Sequence, residues 1–517
     1  MLDEQRPRRV VPRWRSSWIT AQTAESRVKK PARQDDAAAE IANKQMELEL
    51  EPTVPVAAEL MFLASQGGND NAAKKAAGLI VESAGKIGAT RLVATAKRIL
   101  ESGHVAMTPD PAKDFVREAR KLLSLEFRNP VLLMDIAREL TAKAQDKAAL
   151  RYVRTAVGLA PQSRFIVRAA ARYYLHVGDH EQAHEVLMRS PILRSDPWVQ
   201  ASEVAVATVR GRTSLYAKKA IRAISNAGRI GAELSELAGA VGTIEMNEGA
   251  DKSARQLFAK SLMNPNDNSL AQAEWAATRL KLVVDAAALK TPFSFEANSN
   301  NAYRRLVLPD AIAFAKQWSD DEPFSSRPLG ALTYLYCLEE RFKEARESAD
   351  AAIRFDGRQA GSFQLNRLFV RIQQGDLDGA QADLLRLASR PESKGHATHV
   401  FANAGALAYA TGEFKLGQEF YQKAIKIARS RGAVREEALA RAYFARAAAM
   451  HGDPSAAAII QEAVSGVELL PSPGAIHIVR RLVDSEQRRQ LEAVAANRVA
   501  KPKWAWDAIT NTLRLLE

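Results

Sequence analysis

The chain has 517 residues, 47% of them apolar and 7% aromatic, with a formal net charge of +13. A single cysteine, Cys337, excludes an internal disulfide and a cysteine-built metal cage, and the absence of any run of about 18 apolar residues argues against a membrane-spanning helix. Residues 1–33 hold nine Lys or Arg against three Asp or Glu, which leaves a surplus of seven for the other 484 residues, too thin for a nucleic-acid-binding body.

Residues 1–50 read as a basic flexible arm. Pro7 and Pro12 break helices and the apolar residues show no period. Arg6, Arg8, Arg9, Arg13, Trp14, Arg15 and Trp18 are its candidate contacts, because guanidinium forks bind phosphate or carboxylate and indoles stack. Asp3 and Glu4 argue against a transit peptide, and without an apolar leader the expected compartment is the cytoplasm. The Ala- and Arg-rich usage suggests a bacterial source.

Helical periodicity takes over from Val56, with predicted helices over 57–65, 71–84, 89–102 and 111–127. Gly78 to Lys86 brings a Gly-Lys pair near an upstream glycine, but the spacing and the Ile after the lysine are wrong for a phosphate-cradling loop. From Asn129 the chain repeats itself: Ala149 and Ala183 lie 34 residues apart, and each half reads as helix, tight turn, helix and a proline exit at Pro161 or Pro197. The next anchors are Ala217 and Ala254. Gly178, Gly249, Gly375, Gly412 and Gly452 each precede an anchor by five residues and predict left-handed helix ends. Asp179, Asp376 and Asp453 follow three of them as predicted N-caps, with Pro454 expected in a first helical turn.

Small residues at Ala137, Ala149 and Ala156, a bulky Val153 between them and Pro161 at the exit resemble the tetratricopeptide repeat (TPR) family over about residues 110–470. The resemblance implies an all-α, right-handed α-solenoid of helix-turn-helix repeats, in two arms. The predicted arrays are 51–290 and 309–470, with an irregular joint over 291–308, where Thr291-Pro292 and Asn298-Ser299-Asn300-Asn301 favour turns. Ala311, Ala345, Ala380, Gly417 and Ala457 anchor the second array. Residues 471–517 read as capping helices, a long charged one over 476–498 and a last one carrying Trp504 and Trp506.

The resemblance also implies a concave binding groove, lined by one stripe of each first helix. Carried over position by position, that stripe is Met134, Arg138, Phe165, Arg168 and Arg172 in the first arm. In the second it is Arg327, Tyr334, Leu365, Phe369, His399, Tyr409 and Arg446. Arg168 and Arg172 predict an acidic or carbonyl-rich partner segment.

His180-Glu181-Gln182-Ala183-His184 matches the HExxH zinc pattern, with Glu203 following after eighteen intervening residues as a third ligand. The repeat explains the same letters, since Ala183 is a helix contact, and no strand pattern precedes the helix. Cys337 reads as a packing residue. The expected function is a non-enzymatic protein- or peptide-binding scaffold or sensor subunit of a larger assembly, without cofactor and open to oligomerisation. The alternatives are a nucleic-acid-associated subunit using the arm beside a catalytic partner and a zinc metalloprotease through His180, Glu181 and His184.

Overall fold

A computed structural model describes residues 11–16, 34–102, 115–226, 232–484 and 506–516, apart from loop positions 51, 67–68, 88–90, 126–127, 357–360 and 471. Among them every regular element is a helix. The chain divides into two compact units. The N-terminal unit holds residues 7–297 together with 321–324, and the C-terminal unit holds 298–320 with 325–517.

The N-terminal unit is a stack of helical hairpins. Pro130–Ala142 with Asp146–Leu159 makes one, and Arg164–His176 with His180–Met188 the next. Their starts are written locally. Asn129 accepts a hydrogen bond from the Leu132 amide, Ser163 from Ile166, Asp179 from Gln182, and Asp196 from Trp198 and Val199 beside Pro197. Their contacts are alanines: Ala137, Ala149, Ala156, Ala170 and Ala183 are fully buried, so the helix backbones approach closely. The hairpins continue through Pro197–Val209, Ala217–Asn226, Ala232–Asn247, Asp251–Ser261 and Asp267–Leu280.

The C-terminal unit repeats the scheme in the pairs Ser326–Leu338 with Phe342–Asp356, Gly361–Gln374 with Leu377–Ala388, Ala397–Thr411 with Phe414–Ser430, and Val434–His451 with Ala456–Leu469. Here the closest approach needs glycine. A Cβ on Gly405 would lie 2.6 Å from the Tyr421 ring, and one on Gly417 2.7 Å from the Tyr409 ring. Helix Pro473–Val483 packs on Val434–His451, and Trp506–Leu513 buries Ile509 and Leu513 beside Leu377–Ala388.

The five predicted helix-ending glycines all have positive φ. Several expectations need correction. The segment 1–50 is not a featureless arm: Gln34–Leu50 is a helix, and residues 12–16 are buried. The stretch 291–308 contains the helix Phe295–Arg304, because Ala297 and Tyr303 are buried and Ser299 donates to the Ala311 carbonyl, so packing overrides its asparagines. Ala217 is only half-buried and Ala220 takes the contact. Ala457 is exposed and Ala456 is buried instead, since Pro454 and Ser455 form a turn before that helix rather than its first turn. The charged C-terminal helix is described only to Val483, and Trp504 lies outside the described residues.

Candidate functional site

A non-helical segment, Val11 to Ser16, packs into the N-terminal unit with residues 12–16 buried. Pro12 disfavours a helix interior there, and Arg13 and Arg15 reach carboxylates while Trp14 reaches aromatic rings. Arg13 donates to Glu322 and, at 2.5 Å, to Glu296, with Asp267 at 3.3 Å. Arg15 forks onto Asp321 at 2.6 and 2.8 Å, reaches Asp267 at 2.9 Å and lies over the Phe293 ring. Both guanidiniums are almost fully buried. Burial alone would lower their pKa values, but the surrounding carboxylates hold both well above the ordinary value.

Trp14 is 1% exposed and packs between Phe324, 5.2 Å between ring centres, and Tyr173, 6.1 Å away edge-on. Backbone groups complete the seat. Arg138 donates to the Trp14 carbonyl at 3.2 Å and to the Asp321 carbonyl at 2.8 Å, while Asn268 donates to the Val11 carbonyl at 3.3 Å.

The N-terminal stripe residues therefore have internal work. Met134 is in the core and Phe165 packs against it. Arg138 clamps the bound segment. Arg172 lies over the Phe324 ring at 5.0 Å. Arg168 is 1% exposed and donates to Ser202 at 3.0 Å and Glu236 at 2.7 Å beneath Trp198. The expectation that Arg168 and Arg172 present charge to an acidic partner is corrected: both are buried, and those charges are spent inside the unit. The flexible-arm reading is likewise corrected for Arg13, Trp14 and Arg15, while Arg6, Arg8, Arg9 and Trp18 lie outside the described residues. The acidic seats were missed. A run of Asp320, Asp321 and Glu322 before Pro323 and the i, i+2 spacing of two arginines were the available signals.

The C-terminal unit has an open counterpart. A cavity of about 70 Å³ is lined by the predicted Tyr334, Leu365, Phe369 and His399, and also by Thr398 and Asn403, which the sequence did not single out. Tyr421, Tyr443, Leu439 and Cys337 complete much of its wall. Burial pushes the Cys337 thiol up to about 12 and holds His399 well below the ordinary histidine value, so its ring is neutral. Three stripe residues lie away from the cavity. Tyr409 donates to Asp453 at 2.6 Å, Arg446 pairs with Glu340 at 2.8 Å and Gln373 at 2.9 Å, and Arg327 lies over Trp318 at 5.2 Å.

The histidine pattern is committed elsewhere. Glu181 pairs with Arg210, Glu203 accepts from Ser214, and His184 Nε2 stands 3.8 Å from Glu203. Among the described residues no three His, Cys, Asp or Glu side chains gather to hold a metal.

No protein-family profile matches the chain, and no curated protein matches it in sequence. Solved structures similar to it include the "APC/C hetero-tetramer Cut9-Hcn1" at 12% identity, covering 96% of this chain and 98% of that one with a TM-score of 0.33. The "P58(IPK) TPR Domain" is 12% identical over 74% and 97%, with a TM-score of 0.21. "Naa15/Naa10 bound to HypK-THB" gives 11%, 93% and 89%, with a TM-score of 0.22. The repeats are TPR-like. That rests on the chain's own hairpins, their 34-residue period and the buried small residues between them, and no partner is carried over from the three neighbours.

Proposed function

We propose that this chain is a non-enzymatic, TPR-like scaffold that binds an extended segment of a partner protein on the inner side of its repeats. The observation that supports this reading is the non-helical segment Val11 to Ser16, held by stripe residues such as Arg138, by aromatic packing and by hydrogen bonds to its backbone. An inner face that takes a segment of its own chain this way has the chemistry to take a foreign one. In the C-terminal unit four residues of the predicted stripe, Tyr334, Leu365, Phe369 and His399, line a cavity. No described helix is long and apolar enough to cross a membrane.

The nucleic-acid alternative is weakened because Arg13 and Arg15 are buried in ion pairs. The protease alternative is weakened by the pairing of Glu181 with Arg210. The test is a display of extended peptides against the purified full chain. Replacing Phe369 by Ala should weaken the selected binding, with circular dichroism checking that the helical signal is retained. Steeply salt-dependent RNA or DNA binding, with no peptide selected, would sink the reading.

A further inference from the structure

We infer that the cavity of the C-terminal unit is a site for a neutral, apolar side chain presented on a peptide bond. This deepens the scaffold reading and rests on it. Three side-chain atoms lining the cavity, Thr398 Oγ1, His399 Nδ1 and Asn403 Oδ1, are buried without a hydrogen-bond partner. They lie in the first two turns of helix Ala397–Thr411, and Thr398 and Asn403 are 2% and 8% exposed. An unpaired polar atom out of water is costly, and in a native protein such an atom takes up a water, an ion or a group of a ligand.

Their chemistry selects the partner. Asn403 already donates its amide N–H to the His399 carbonyl at 2.9 Å, so its Oδ1 remains as a pure acceptor and asks for an N–H. Thr398 supplies a hydroxyl that can donate to a carbonyl, and the neutral His399 ring supplies a second nitrogen. An N–H and a C=O held close together describe a peptide bond. The remaining wall is apolar or aromatic, with Tyr334, Phe369, Tyr421 and Tyr443 around Leu365 and Leu439. No lysine or arginine lines the cavity, and its one carboxylate is Glu436, so an acidic occupant has no counter-charge there. Water would satisfy the three polar atoms but wet the aromatic wall. A Leu- or Phe-sized side chain with its own backbone amide satisfies both.

The test uses the full chain with N-acetyl-leucinamide, N-acetyl-phenylalaninamide and an end-blocked Gly-Gly-Leu-Gly-Gly as probes, titrated by calorimetry and followed by NMR. We expect saturable binding, tightest for the pentapeptide. Thr398→Val and Asn403→Leu should each weaken it about tenfold, and Ala440→Phe, which fills the cavity, should abolish it with the helical signal unchanged. N-acetyl-aspartamide should not bind. Absence of binding by every probe, with only ordered water in the cavity, would overturn the site, as would binding indifferent to Thr398→Val, Asn403→Leu and Ala440→Phe. Peptide selection that survives Ala440→Phe would overturn this site and leave the scaffold reading standing. If the blocked amides bind in the cavity but no peptide is selected, the scaffold reading fails and the amide site stands.

Discussion

The two units use one kind of inner face in opposite ways. In the N-terminal unit it is filled by the chain's own Arg-Trp-Arg, with two guanidiniums seated among Asp267, Glu296, Asp321 and Glu322. In the C-terminal unit it is a cavity whose polar atoms lack partners. Filling makes the first face part of the fold. On the second, Thr398, His399 and Asn403 are the groups whose burial a proposed peptide contact would offset.

The largest test breaks the filled face. Arg15→Ala leaves Asp267 and Asp321 buried without their shared cation, and should cost about 3–5 kcal/mol. Trp14→Ala should cost a similar amount by emptying the space between Phe324 and Tyr173. Calorimetry should show the N-terminal unit melting early, before the C-terminal one. Equal destabilisation of both transitions, or none, would break the comparison. Deleting residues 1–33 should likewise destabilise the chain, which the flexible-arm reading did not anticipate.

Acidification comes next. Burial first, and then the Arg172 charge, push His176 down to about 4, beside Phe324 and with Asp146 3.7 Å away. Its folded pKa lies below its unfolded value near 6.5. The neutral ring's contribution is therefore complete above pH ~6.5 and lost as pH falls toward 4, on the order of 2–3 kcal/mol in all. Denaturant titrations between those pH values should show the slope, and His176→Gln should flatten it.

On the open face, Gly405→Ala should cost about 1–3 kcal/mol, because the added methyl meets the Tyr421 ring at 2.6 Å. Tyr421 also lines the cavity, so ligand binding should fall with it. The smallest effect is the most telling. Thr398→Val removes an unpartnered buried hydroxyl and should be neutral or stabilising by up to about 1 kcal/mol, measured by denaturant midpoint. A clear loss of stability would mean that the hydroxyl is already satisfied and the face is not open.

The repeat was legible because its signals are local or evenly spaced. Alanines at fixed intervals and glycines at helix ends can be read without knowing what they touch, and the repeat register found four cavity residues. Ala217 and Ala457 missed by three residues and one because each inherits its phase from a turn that packing, not period, sets. The Arg-Trp-Arg seat was not legible. Its carboxylates lie some 250 to 310 positions along the chain, and a short basic stretch with prolines looks the same docked or free. Thr398 and Asn403 matter for what they lack, which no residue pattern records.

The 309-residue separation between Arg13 and Glu322 also sets an order of events at the ribosome. Synthesis proceeds from the N-terminus, so residues 11–16 emerge first and wait while the rest of the N-terminal unit is made. Their last acceptors, Asp321 and Glu322, and the Phe324 ring arrive only after residue 297, when the C-terminal unit has begun to appear. Until then Arg13, Trp14 and Arg15 lack these partners, and the nascent chain carries an unclosed long-range loop, a slow step in folding. Nascent chains stalled before residue 320 should remain protease-sensitive in the N-terminal unit, and chains stalled far enough beyond 324 for that residue to clear the exit tunnel should become resistant in one step.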